Sequence, residues 1–437
     1  MTPVTKRLSK RKAILGGTLA LTLLLGACAP VPGSTQESTT RATLDPSTVA
    51  TQSLSNPSPT ANQNSLNLTV WLPPAFDPNG GGLAAGMLQN RLDEFAEQHP
   101  QVRLEVRIKA EEGTGGLLDS LLAAKSAAPL ALPDLVLMPH FHLTSAVARQ
   151  LLFPLTGLTE TLDSDDWYTF AHEFSQVDNA SYGMPFAADA FILAYRPAAV
   201  TQVPSTWQAL LDSRLQLGFA AADPDASFTL AQLHAFASGS EQEGDEVDFN
   251  EETLTAVFNF FTDAQQQGVF PFWLSQYQTT EQSWQAFSEG RVPMVATWTS
   301  RAFDNRNVDI STAPLPTPEG EPLALVKGWV WAVSTPDSDR AALVAELVEF
   351  LTTPEFIAQW TDAAGLIPPR HSSLSAWSPG DKQTLASQIV DSAAALPGQT
   401  IVDLWGNALT EAVVAVLKEE LTSEEAVQQV LERVANP

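Results

Sequence analysis

The chain has 437 residues, 23 of them basic and 50 acidic, for a formal net charge of −27 and a hydrophobic fraction of 44%. That length accommodates two or three domains with real cores, and the charge excludes nucleic acid and anionic lipid as electrostatic partners. A single cysteine, Cys28, excludes an intrachain disulfide framework.

Lys6, Arg7, Lys10, Arg11 and Lys12 precede an uncharged apolar stretch, residues 13–25, that is too short for a stable membrane span. It leads into Leu25-Gly26-Ala27-Cys28, which resembles the bacterial lipobox. That resemblance implies a lipoprotein signal peptide over residues 1–27 and lipidation of Cys28; a plain signal peptide with an incidental cysteine is the other reading. Residues 28–65 are rich in Ser, Thr, Pro, Asn and Gln and read as a disordered tether. Several acyl chains on one cysteine anchor durably, so the globular part is expected to work at a membrane face.

Residues 66–72 (LNLTVWL) alternate and predict a strand. A Pro- and Gly-rich loop follows, then a helix with Ala84, Leu88, Leu92 and Phe95 on one face. Residues 102–108 predict a second strand, 113–128 a helix, and 133–139 (PDLVLMP) a fully buried parallel strand. Strand, helix, strand, helix, strand describes a βαβ sheet, whose ligands sit in loops beyond the carboxyl ends of the strands. Those loops begin at residues 71–77, at Glu111-Glu112 and at 140–142. Further on, strands are expected at 215–221, 291–298, 309–316 and 327–333, with helices at 206–211, 251–267, 281–289, 340–351, 354–364, 403–421 and 424–434. Thr422 and Glu425 have capping-box spacing.

Residues 181–197 (SYGMPFAADAFILAYRP) stand apart. An apolar, strand-like run carries one carboxylate, Asp189, and an unpaired buried carboxylate is costly. Either the strand leaves one core, crosses a gap and enters another with Asp189 facing a cleft, or it is a core strand whose Asp189 caps a neighbouring backbone amide.

Several pieces, in order, carry a resemblance. They are FAEQHPQVRLE at 95–105, Pro133-Asp134, Tyr182-Gly183 with Pro185 and Tyr195, Pro204 with Thr206-Trp207, FSEGRVPM at 287–294, and Gly365 to Pro368. From about residue 66 to the C-terminus the chain resembles the extracellular solute-binding proteins of family 1, the substrate receptors of ABC importers, and within them the sugar and oligosaccharide branch. The resemblance implies an α/β, two-lobe periplasmic-binding-protein fold of type II, with discontinuous lobes joined by hinge strands. The N-terminal lobe would comprise 66–188 and 329–373, and the C-terminal lobe 189–328 and 374–437. It implies a monomer that captures a neutral mono- or oligosaccharide between the lobes and delivers it to permease subunits, with no cofactor and no metal. Related receptors take polyols, glycerol phosphodiesters or polyamines.

Sugar rings offer apolar C–H faces and a rim of hydroxyls, which aromatic rings and planar polar groups hold. The sequence has 11 tryptophans. Trp298 and Trp405 resemble stacking positions of sugar binders, followed by Trp329, Trp71 and Trp273; each alternatively packs in a core, as Trp207 and Trp360 are expected to. Asp189 and Asp223 lead the polar candidates, with Asp77 and Glu111 behind them as loop acids or helix caps. Phe141 and His142 stand where maltodextrin-type receptors often carry an acid and an arginine. His140 and His142 lack a second ligand pair and read as surface-loop residues rather than metal ligands.

Enzyme readings fare poorly. Lipidation consumes Cys28, and no Gly-x-Ser-x-Gly elbow, Walker A or dinucleotide glycine pattern is present. A glycoside hydrolase using Asp189 and Asp223 needs only two acids at the right distance, and a ligand-free envelope scaffold is a third reading. The expected location is extracytoplasmic, lipid-anchored, on the outer face of a single membrane or the periplasmic side of a double one.

Overall fold

A computed structural model describes residues 66–238, 249–303 and 309–436. The expected leader, Cys28 and the tether lie outside the described residues. β1 (Leu66–Leu72), β2 (Val102–Ile108) and β3 (Leu135–Pro139) run parallel in the order β2-β1-β3. Helices Leu83–Gln98 and Leu117–Ala127 make the crossovers. Every residue of β3 is buried, as its uninterrupted apolar run requires.

Six more strands complete a nine-stranded mixed sheet: β4 (Gly183–Tyr195), β5 (Leu217–Gly218), β6 (Met294–Trp298), β7 (Ser311–Ala313), β8 (Ala324–Val333) and β9 (Ala393–Ala395). Their order is β2-β1-β3-β8-β4-β6-β5, with β9 on β8 and β7 on β4. The strand expected at 215–221 shortens to Leu217–Gly218, the two residues that pair with β6, and loops bond to its flanks. Leu217 N–H donates to Val269 O and Ala222 N–H to Tyr277 O.

β4 is shared. Residues from Gly183 to Ala190 pair with β8, and residues from Phe191 to Tyr195 pair with β6. β8 changes partners in the same place, its early residues resting on β9 and its later ones on β3. At the switch Asp189 lies opposite Lys327. Beyond it β4 divides two apolar clusters by its period of two: Ala190, Ile192 and Ala194 belong to one, Phe191 and Leu193 to the other. The first holds Leu68, Phe95, Leu137, Trp331 and Val348 and extends to Trp284, Phe287 and Ile389. The second holds Phe219, Phe261, Leu409 and Val430.

His140 and His142 are not surface residues; only 8% and 7% of each is exposed. The turn after β3 folds back under the strands that switch. Gly328 N–H donates to His140 Nδ1 at 3.1 Å, which leaves Nε2 as the protonated nitrogen, 3.1 Å from Leu396 O. The ring stacks on Phe174 at 4.1 Å. Phe174 also presses so closely on β8 that a Cβ at Gly328 would collide with it. One neutral imidazole therefore ties β3, β8 and the segment after β9 together.

Burial lowers the pKa of His140 from 6.5 to about 4 and does the same for His234. A histidine held neutral in the fold takes up its proton more readily when unfolded. Its contribution is thus complete above pH 6.5 and is lost as the pH falls toward 4. The stability gap between wild type and His140→Gln should shrink by about 3 kcal/mol over that range. Urea unfolding at several pH values measures it, and parallel curves would contradict the buried neutral ring.

Candidate ligand-binding cleft

A cavity of about 310 Å³ opens beside the switch. Glu111 and Glu112 enter it from the loop that follows β2, and Phe141 from the turn after β3. The facing wall carries Asp223, Pro224, Asp225 and Ser227, then Gln278, Thr279 and Thr280, and Trp298 at the end of β6. Lys327 of β8 lies between, and Leu396, Gln399 and Val402 close one side. The two groups of loops follow the carboxyl ends of strands on opposite sides of the switch, where crevices form in α/β sheets.

The loop from Asp223 to Asp225 is held in shape. Asp223 accepts from Ser227 N–H at 3.2 Å, from Ser227 Oγ at 2.7 Å and from Asp225 N–H at 3.2 Å, so it caps the helix Ser227–Ser238. Helix Gln399–Leu417 backs the loop. Thr410 Oγ1 donates to Asp223 O at 2.5 Å, and a Cβ at Gly406 would run into Pro224 O.

Of the expected site residues, Trp298, Asp223, Phe141 and Glu111 line the cavity. Trp298 packs on Phe191 with ring centres 4.9 Å apart and carries the Lys327 ammonium over its face at 4.3 Å. Trp329 stands one layer back, donating from Nε1 to Glu111 Oε1 at 3.2 Å and meeting Phe76 edge-on at 5.0 Å. Asp189 lies behind the wall. Thr299 Oγ1 and Ser300 N–H donate to its Oδ1, each at 2.9 Å, and Ser300 Oγ donates to its Oδ2 at 2.6 Å. It is both the acid of a shared strand and the cap of the turn after β6. Burial pushes its pKa up, and Lys327 pulls it back down.

Three tryptophans lie away from the cavity. Trp71 is buried in β1 beneath the Lys109 ammonium at 4.6 Å. Trp405 packs edge-on against Phe249 at 5.2 Å, and Trp273 meets Tyr277 edge-on at 5.5 Å while touching both apolar clusters. Asp77 accepts from Asn79 N–H at 2.9 Å, a local turn bond.

Sequence reasoning passed over Lys327 and Asp225, and named Glu112 only as part of a ligand-facing loop. Lys327 had a readable signal: it is the one charge in the apolar run of β8, the counterpart of Asp189 in β4. The lining acids press on one another. Burial, with Asp223, Glu112 and Asp403 adding to it and Lys327 opposing, pushes Asp225 up to about 6. Burial likewise raises Glu111, which Lys327 offsets in part. Among the described residues no three His, Cys, Asp or Glu side chains converge as a metal site.

Residues 90–386 match the family described as bacterial extracellular solute-binding protein. The chain belongs to this family. As a solute-binding protein it is a receptor rather than an enzyme, and the family is extracytoplasmic. Solved structures share the fold. The cyclic α-maltosyl-1,6-maltose binding protein of Arthrobacter globiformis aligns with TM-score 0.70 at 17% identity, covering 84% of this chain and 98% of its own. The sugar-binding protein MalE of Xanthomonas citri gives 0.68 at 19%, covering 85% and 98%. The maltotriose binding protein of Thermus thermophilus gives 0.63 at 18%, covering 84% and 98%. At these identities the likeness establishes the two-lobe α/β fold. No curated protein sequence matches the chain.

The charge coupling in this solute-binding protein is testable without ligand. Glu112→Gln removes a like charge and should lower the pKa of Asp225 from about 6, whereas Lys327→Met should raise it. Carboxyl-carbon NMR titration reads both. No movement in either variant would mean that the two walls do not sense each other.

Proposed function

We propose that this receptor captures a mono- or oligosaccharide in the cleft beside the Asp189–Lys327 switch and delivers it to the permease of an ABC importer. The observation that carries this reading is the make-up of the cavity. Two aromatic side chains, Trp298 and Phe141, sit among carboxylates, amides and hydroxyls contributed from both sides of the shared strands. That is the combination a sugar's apolar face and hydroxyl rim require. The lobes would be 66–188 with 329–373 and 189–328 with 374–437, working as a monomer. Ligand touching both lobes favours the closed state only by its differential affinity for that state. Sugar binding by the structural relatives supports the same reading: the Arthrobacter globiformis and Thermus thermophilus proteins are named for maltose-based ligands.

A thermal-shift screen of the protein against sugars, polyols, amino acids and polyamines tests it, since a ligand of the folded state raises the melting temperature by mass action. A shift with carbohydrate is expected. Trp298→Ala should then weaken binding about three- to tenfold by titration calorimetry while the fold persists. Carbohydrate binding untouched by that substitution would remove Trp298 from the site.

Anchoring through Cys28 would hold the receptor beside its permease, with residues 28–65 as the tether. Cys28→Ser should release the protein from the membrane fraction and abolish labelling by a fatty-acid probe. Retention of label in that variant would rule out Cys28 as the lipid site.

A further inference from the structure

Trp298 lines the cavity, yet only 8% of it is exposed. Two contacts cover it. Phe191, its register partner across β4 and β6, packs on it with ring centres 4.9 Å apart. Lys327, which lines the same cavity, sets its ammonium over the indole, 4.3 Å from the ring centre. That is close to the height, about 4 Å, at which the carbons of a stacked sugar would rest. The ammonium therefore stands where the C–H face of a pyranose would have to lie.

No ion pair holds Lys327 there. Among the described residues its ammonium makes no hydrogen bond and no ion pair, and the indole is its close contact. Asp189, opposite it on β4, has both oxygens engaged by Thr299 and Ser300. An ammonium on a flexible four-carbon stem, held by one cation–aromatic contact, is free to leave. Glu111 and Asp225 line the same cavity and feel its charge, so a displaced ammonium has acceptors in the cavity. Sugar stacking and departure of the ammonium are then one exchange: the ring gives up a cation and takes an apolar face.

We propose that Lys327 sets the affinity and selectivity of the cleft by occupying the Trp298 face until solute displaces it. This step rests on the carbohydrate reading. Lys327 acts through Trp298 as a positioning residue, and it makes binding weaker than a bare indole would. Solutes without a flat apolar face, such as linear polyols, offer the ring nothing in exchange and are discriminated against.

The test is titration calorimetry on the full chain with maltotriose, cellotriose and xylotriose. Lys327→Ala should tighten sugar binding about two- to fivefold, the reach of an exposed cation–aromatic contact. Lys327→Arg should weaken it, because a guanidinium stacks on the indole more extensively. In a Trp298→Ala background, Lys327→Ala should bring no gain. If Lys327 served only to balance Asp189, arginine would bind sugar like wild type and alanine more weakly; that pattern overturns the proposal. NMR of protein labelled with [13C]lysine gives a direct readout. The ring current should hold the Lys327 ε-methylene upfield, and saturating sugar should move it to its Trp298→Leu position. A signal that stays upfield in the saturated protein overturns the exchange, and melting curves verify that each variant folds. Equal sugar affinity in wild type and both Lys327 variants overturns the proposal and leaves the carbohydrate reading intact. Failure of wild type and Lys327→Ala alike to bind any of the three sugars overturns the carbohydrate reading and the exchange with it.

Discussion

The structure depends on a buried carboxylate placed where it should be expensive. Asp189 and Lys327 face each other on adjacent strands within otherwise apolar runs, at the point where both strands change partners. An isolated carboxylate there would cost several kcal/mol to bury. Thr299 and Ser300 meet both of its oxygens, and Lys327 supplies the opposite charge. The arrangement fixes the end of β6, and with it the Trp298 ring, relative to β4 and β8. Everything in the cleft is referred to that junction.

Much of this was legible in the residues, because the same pair violates the apolar pattern of its strands. Asp189 stands out in 181–197: the strand is shared and the acid caps a neighbouring amide, but its carboxylate is buried against Thr299 and Ser300 rather than facing the cleft. The equivalent anomaly in β8 is masked because Lys327 reads as the start of a strand, whereas the strand begins at Ala324 and holds it in its interior. Loop acids were harder. Asp77, Glu111, Asp223 and Asp225 look alike in sequence, and only the folded chain separates a local turn acid from one facing a cavity. Tryptophans at element ends were equally ambiguous: Trp298 lines the cleft, whereas Trp71, Trp273 and Trp405 pack elsewhere. Period two gives direction along a strand but not what lies opposite it.

The Pro133-Asp134 motif has a structural role. Asp134 accepts from Thr69 N–H at 2.8 Å and receives Arg340 Nε at 2.7 Å, joining the strand entry to helix Ser338–Leu351. Likewise the Pro204, Thr206-Trp207 stretch starts a helix, with Thr206 Oγ1 accepting from Ala209 N–H at 2.9 Å while Trp207 stacks on Phe260. These segments build the scaffold, and the residues lining the cavity come from loops and strand ends elsewhere. A motif set of this kind identifies the architecture well and the solute poorly.

The placement of His140 has a mechanical consequence. One ring grips β8 at Gly328 and the following passage at Leu396 from the end of β3. Two passages far apart in the chain are thus pinned within one side chain's reach. Loss of that ring would free both at once, so their positions are set jointly rather than one at a time.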